Sequence, residues 1–141
     1  MDMSKIQFID HSQDIEAVID KLAVAVLEEV AGELESAVKR NTAVDTGQTK
    51  NSWTHSVTSH GKEHKAVVGS PYMNAVWEEF GTGEYALEGN GRKGGWFYED
   101  AEGNGHFTRG KKPRRPFYKA YTENRDKLIK HMQNKFKGAL K

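Results

Sequence analysis

Residues 60–64, His60-Gly61-Lys62-Glu63-His64, carry the H-x-x-E-H order in which two imidazoles hold a zinc ion beside a working glutamate. That chemistry needs both histidines on one helical face. Here a glycine interrupts the segment and β-forming residues flank it, so it reads as a polar hairpin loop. Glu78-Glu79 supplies two carboxylates, the raw material of general acid–base chemistry. Neighbours on a helix point about 100° apart, however, and cannot flank one bond, so the pair reads as helix-surface charge with one member free for an interface. Gly81-Thr82-Gly83 and Gly89-Asn90-Gly91-Arg92-Lys93 have the glycine content of a phosphate cradle. They lack the G-x-x-x-x-G-K-[ST] pattern and no helix start follows them. Lys111-Lys112-Pro113-Arg114-Arg115, beside Phe117, Tyr118 and Tyr121, is a genuine basic cluster interleaved with aromatics. Such a cluster can bind phosphates and stack bases, or it can lie over the start of a helix and meet acidic side chains of a neighbouring subunit. Trp77, Phe80, Trp96 and Phe97 read as core or subunit contact, not as a cofactor box. No set of catalytic, metal-binding or cofactor-binding residues emerges, and the chain is expected to work without a cofactor.

The elements that must position these residues follow from periodicity. Ile15, Val18, Ile19, Leu22, Val26, Val30, Leu34, Ala37 and Val38 recur at steps of three and four and predict a long amphipathic helix, capped by Asp10 or Ser12. A turn at Asn41–Gly47 follows. Asp45 and Thr46 are expected to bond nearby backbone amides there, with Gly47 at positive φ. Trp53–Ser59 alternates, placing Trp53, His55 and Val57 on one face, and Lys65–Gly69 is a plausible return strand. Met73, Val76, Trp77 and Phe80 predict a two-turn helix with Gly81 as its stop. Residues 81–110 hold nine of the fourteen glycines, and Asn104-Gly105 predicts a small hairpin between Trp96-Phe97-Tyr98 and His106-Phe107-Thr108. Pro116 suits the first position of a last helix, whose stripe runs Phe117, Ala120, Tyr121, Asn124, Leu128, Met132, Phe136, Leu140. The fold class is therefore α+β: two long helices packed on a small antiparallel sheet, with a short helix and a glycine-rich loop/hairpin insertion. Residues 1–141 form one domain, and the insertion, residues 81–112, is expected to be flexible until a partner orders it.

Composition narrows the classes without choosing between the readings of the basic cluster. The absence of cysteine excludes disulfide scaffolds, thiolate zinc sites, iron–sulfur clusters and a cysteine nucleophile. The mean hydropathy of −0.79 and the short apolar runs predict a soluble chain without a membrane span, and the acidic first twenty residues predict no signal peptide. The net charge of +1 hides a polarity: residues 1–50 carry 10 acidic and 5 basic side chains, residues 111–141 carry 2 and 11. Such a chain either faces nucleic acid with its tail or meets copies of itself acid-to-base.

Three separated segments together resemble the tailed-phage tail-completion, or head–tail joining, proteins, also labelled minor capsid or phage morphogenesis proteins. They are Val44-Asp45-Thr46-Gly47 with Asn51-Ser52; Trp77-Glu78-Glu79-Phe80-Gly81-Thr82-Gly83 after Val68-Gly69-Ser70-Pro71-Tyr72; and Arg114-Arg115-Pro116-Phe117 with Ala120. Thr49 stands where the family usually carries an aliphatic residue. The resemblance implies a non-enzymatic virion component at the head–tail junction, made in the host cytoplasm. It also implies self-assembly into a ring, commonly a hexamer, against head-connector and tail-tube proteins. Asp45, Thr46, Gly47, Ser52, Glu79, Phe80, Gly81, Thr82 and Gly83 are its motif residues. Trp77, Trp96, Phe97, Lys111, Lys112, Arg114, Arg115, Pro116 and Phe117 are the expected assembly contacts, with a monomer or weak oligomer when free. The rival reading is a small nucleic-acid-binding protein that uses residues 111–121 for non-specific DNA contact.

Overall fold

Helix α1 (Ser12–Asn41) is the axis on which everything else is laid. The structure, a computed structural model, describes residues 12–44 and 47–139; Asp10, Asp45, Thr46 and Leu140 lie outside the described residues. Of the apolar stripe on α1, Val26, Ala37 and Val38 are buried, together with Ala31, whereas Ile15, Val18 and Ile19 near its start are exposed. Thr42 Oγ1 donates to the Val38 carbonyl at 2.7 Å and satisfies one of the open carbonyls at the end of the helix.

Gly47 adopts φ 79° and opens the one-turn helix α2 (Gln48–Asn51). Strand β1 (Thr54–His60) then pairs antiparallel with β2 (Glu63–Gly69), with Thr54 opposite Gly69 and His60 opposite Glu63. Alternation is obeyed: His55 and Val57 on β1, and His64, Ala66 and Val68 on β2, are half-buried, while the residues between them are exposed. The inner face of this hairpin lies along α1. Its tip is held by Lys62 to Glu16 at 3.0 Å and by His64 to Asp20 at 2.9 Å.

Helix α3 (Met73–Phe80) ends where Gly81 turns the chain at φ 74°. After a 3-10 turn at Gly83–Tyr85, β3 (Trp96–Glu99) and β4 (Gly105–Thr108) form a second two-stranded sheet. Its turn differs from the Asn104-Gly105 expectation. Gly105 lies inside β4 opposite Glu99, and the loop is built on Asp100, whose Oδ1 accepts from the Glu102 and Asn104 amides at 3.0 and 2.8 Å. The aspartate offers the backbone a better partner than a two-residue turn would.

Helix α4 (Pro116–Ala139) starts at the predicted proline and runs antiparallel to α1, with Asn41 Nδ2 donating to the Pro116 carbonyl at 3.3 Å. The core is small and shared: Ala37 and Val38 from α1, Trp53 before β1, Ala75 from α3 and Ala120 from α4, with Leu34 and Phe117 packed against it. Alanines at the crossings let the helix backbones approach closely, and Trp53 and Phe117 fill what remains, with their rings stacked at 6.1 Å. Among the described residues, no helix is long and apolar enough to cross a membrane.

Candidate assembly site around helix α3

Helix α3 has two faces, and the apolar one points outward. Met73, Val76, Trp77 and Phe80 are all exposed, Trp77 to 46%. The buried residues are Ala75, Glu78 and Glu79. This corrects the expectation that the glutamates are helix-surface charges: Glu78 is 2% exposed and Glu79 is 8% exposed. A buried carboxylate needs donors or cations around it: Glu79 has both, whereas Glu78 has cations, and its Oε2 makes no hydrogen bond with any described residue.

Glu79 caps the last helix from outside. Its two carboxylate oxygens accept from the Phe117 and Tyr118 amides at 2.9 and 3.0 Å, in the first turn of α4, whose own N-cap position has no carboxylate. The negative charge also sits at the positive end of the helix dipole. Arg115, just before the helix, takes φ 55°, an uncommon conformation for a non-glycine residue. Its guanidinium lies 3.9 Å over the Tyr118 ring, and its Nε is 3.8 Å from Glu79 Oε1. Glu78 is ion-paired to Lys111, with Arg114 3.9 Å away, and its main-chain carbonyl accepts from the Arg114 and Arg115 amides at 2.8 and 3.1 Å.

Beyond α3, the glycine motif continues the same seam. The Thr82 amide donates to the Lys111 carbonyl and the Glu84 amide to the Arg109 carbonyl, both at 2.9 Å. The Lys111 amide donates to Thr82 Oγ1 at 2.8 Å. Gly83 is required where residues 82–84 run against residues 109–111, because a Cβ there would overlap the Arg109 carbonyl. On the other side of α3, Asn74 Nδ2 donates to Thr49 Oγ1 at 2.6 Å, and the Ser52 and Ser70 hydroxyls share a hydrogen bond at 2.6 Å. Thr49 is buried, and its hydroxyl gives it a use that an aliphatic residue could not supply. The three sequence segments therefore meet around one short helix.

The predicted contacts divide once they are placed. Pro116 is fully buried and Phe117 packs into the core between Trp53 and Tyr121, so these two build the interior and are not an exposed surface. Lys111, Arg114 and Arg115 face Glu78 and Glu79 of their own chain. Lys112 lies 5.6 Å over the Tyr85 ring. Trp96 is half-buried under Arg92, whereas Phe97, 81% exposed, stands out beside Phe107 at 5.0 Å. Among the described residues, neither β3 nor β4 packs appreciably on a helix or on the first hairpin. On β3–β4, the hydrogen bond from His106, with the Asn104 amide, holds the Asp100 carboxyl below its ordinary value.

Histidine–carboxylate pairing was not anticipated from the sequence. His55 lies between Glu28 and Glu35, with Nε2 and Nδ1 at 2.9 and 3.1 Å. The Glu28 hydrogen bond, reinforced by Glu35 against the effect of burial, raises its pKa above the ordinary 6.5. A signal existed: His55 falls on the inward face of β1, opposite an acidic helix.

The outer side of α3 is where the apolar surface gathers. An apolar patch on α3 is continuous with a groove of about 310 Å³ bounded by Val76, Phe80, Gly81, Ala86, Glu88 and Asn90. Contiguous exposed apolar patches of this kind often mark interaction surfaces in proteins generally. No curated protein and no solved structure matches the chain. Residues 6–81 match the family described as "Bacteriophage HK97-gp10, putative tail-component". That stretch runs from α1 through the outward-facing helix to Gly81, and the chain belongs to this HK97-gp10-like family of phage tail components.

Proposed function

We propose that the protein works by assembly and not by catalysis, completing the tail of a phage or prophage or joining the tail to the head as a ring at their junction. The observation that carries this reading is the inversion of α3, which buries its charges and exposes Met73, Val76, Trp77 and Phe80. Exposed apolar area has no stabilising use in a monomer, and removing it from water is worth about 25 cal/mol per Å² when a partner covers it. A ring of identical copies needs two unlike surfaces per chain, and the α3 patch and the β3–β4 hairpin are unlike. The chain acts as one domain, residues 1–141, and the 81–112 insertion orders further on docking, which keeps the free protein a monomer or weak oligomer. Six copies, with head-connector and tail-tube proteins as neighbours, fit this role.

DNA binding by residues 111–121 is the weaker reading, because Lys111, Arg114 and Arg115 already face buried carboxylates. The test is to delete the gene and image the lysate by electron microscopy. Filled heads and finished tails that remain separate are the expected result. Whole infectious particles in normal numbers would overturn the proposal.

A further inference from the structure

The histidines of this protein meet carboxylates in two different ways. His55, His64 and His106 each make an aligned hydrogen bond to a carboxylate, at 2.9, 2.9 and 2.8 Å. His131 on α4 does not. Its Nε2 is closed off from solvent and lies 3.0 Å from Glu29 Oε1, yet it makes no aligned hydrogen bond with any described residue.

A second carboxylate completes the group. Glu29 and Glu33 are one turn apart on α1, so they stand on the same side of the helix. One donor atom from each of Glu29, Glu33 and His131 lies within 4.8 Å of the other two. Ligands around a four-coordinate zinc ion are about 3.4 Å apart, given metal–ligand bonds near 2.1 Å. Both glutamates are exposed and can swing the remaining distance without moving the backbone. A groove of about 470 Å³ between α1 and α4, bounded partly by Glu29 and Glu33, leaves room for a water ligand.

We propose that Glu29, Glu33 and His131 bind one divalent transition-metal ion of the zinc class and thereby clamp α4 onto α1. The donor set decides the class. One imidazole nitrogen and two carboxylate oxygens suit zinc, cobalt or nickel, whereas calcium and magnesium favour oxygen alone. Three protein ligands leave the remaining position to water. Lys127 and Arg40 also border the groove, and both have stems long enough to carry their charge to solvent when the ion enters. The clamp lies along the two long helices, away from α3, and does not depend on the assembly role.

The experiment titrates the metal-free, full-length protein with zinc chloride in a calorimeter and follows melting at each addition. One saturable site is expected, with a raised melting midpoint. Glu33→Gln, at an exposed position, and His131→Ala should each weaken zinc binding roughly tenfold or more and remove the rise in the midpoint. His60→Ala, on the exposed tip of the first hairpin, should leave both unchanged. No saturable zinc site, a site indifferent to Glu33→Gln and His131→Ala, or equal binding of magnesium at the same concentration would overturn the proposal.

Discussion

The two faces of α3 do opposite things with the same eight residues. The inner face buries one alanine and two glutamates, and each carboxylate is matched to amides or cations from residues 111–118. The outer face leaves Met73, Val76, Trp77 and Phe80 in water. The lesson is that a helix can be anchored by charge and used by its apolar side. On the proposed function, stability belongs to the inner face and assembly to the outer one, so mutations should separate the two.

The largest effect is expected at Glu79. Glu79→Ala removes the cap of α4 and leaves the Phe117 and Tyr118 amides without their charged acceptor, at a cost of about 3–5 kcal/mol. Thermal melting checks this, with a fall in the midpoint of roughly 10 °C. A change of only a degree or two would mean that α4 is held by other means and would erase the distinction between the faces. The same reasoning makes Arg114→Glu with Arg115→Glu a stability mutation. Its phenotype would report on the Glu78–Glu79 junction before it reported on assembly.

Gly83→Ala comes next. The new methyl group would collide with the Arg109 carbonyl at a residue held at φ 60°, and about 2 kcal/mol or more is expected. Limited proteolysis at residues 84–108 should accelerate with it. Unchanged cleavage would mean that the seam from Thr82 to Lys111 does not hold the insertion at its base. Gly47→Val should cost less, about 1–2 kcal/mol, because among the described residues a Cβ there meets only Asn51 at 3.8 Å, and the penalty comes from the left-handed φ of 79°. A melting midpoint equal to wild type would remove the backbone argument for that turn.

Much of this could be read from the sequence. Helix α4 begins at Pro116 and α3 spans Met73–Phe80 with Gly81 at its end, because proline and glycine act locally. β1 and β2 follow from alternation. The direction of α3 could not be read. A period of 3.6 shows that a stripe exists, not which side of the helix meets the core. Glu78 and Glu79 look like surface charge until residues 109–118, some thirty positions later, are folded back onto them. Pro116 and Phe117 look like interface residues for the same reason: the core that takes them up is assembled from Trp53, Ala75 and Ala120, distant in sequence.

A smaller effect is expected where charge sits at the surface. Because the pKa of His55 is raised in the folded protein, its contribution is fully present below the ordinary 6.5 and is lost as pH rises through the raised value. Denaturant midpoints should therefore fall across neutral to mildly alkaline pH in the wild type, and fall less in His55→Gln. Parallel pH profiles for the two proteins would show that the clasp on Glu28 and Glu35 adds nothing.

The smallest effect on stability and the largest on function are expected together at the outer face. Met73→Ser with Trp77→Ser removes two exposed side chains and should change folding stability by less than about 1 kcal/mol. Electron microscopy of particles made with that variant, with its melting curve as control, tests the central claim most directly. The account predicts a normally folded protein and heads lacking joined tails. Tailed particles in wild-type numbers, from a variant that melts as the wild type does, would contradict it.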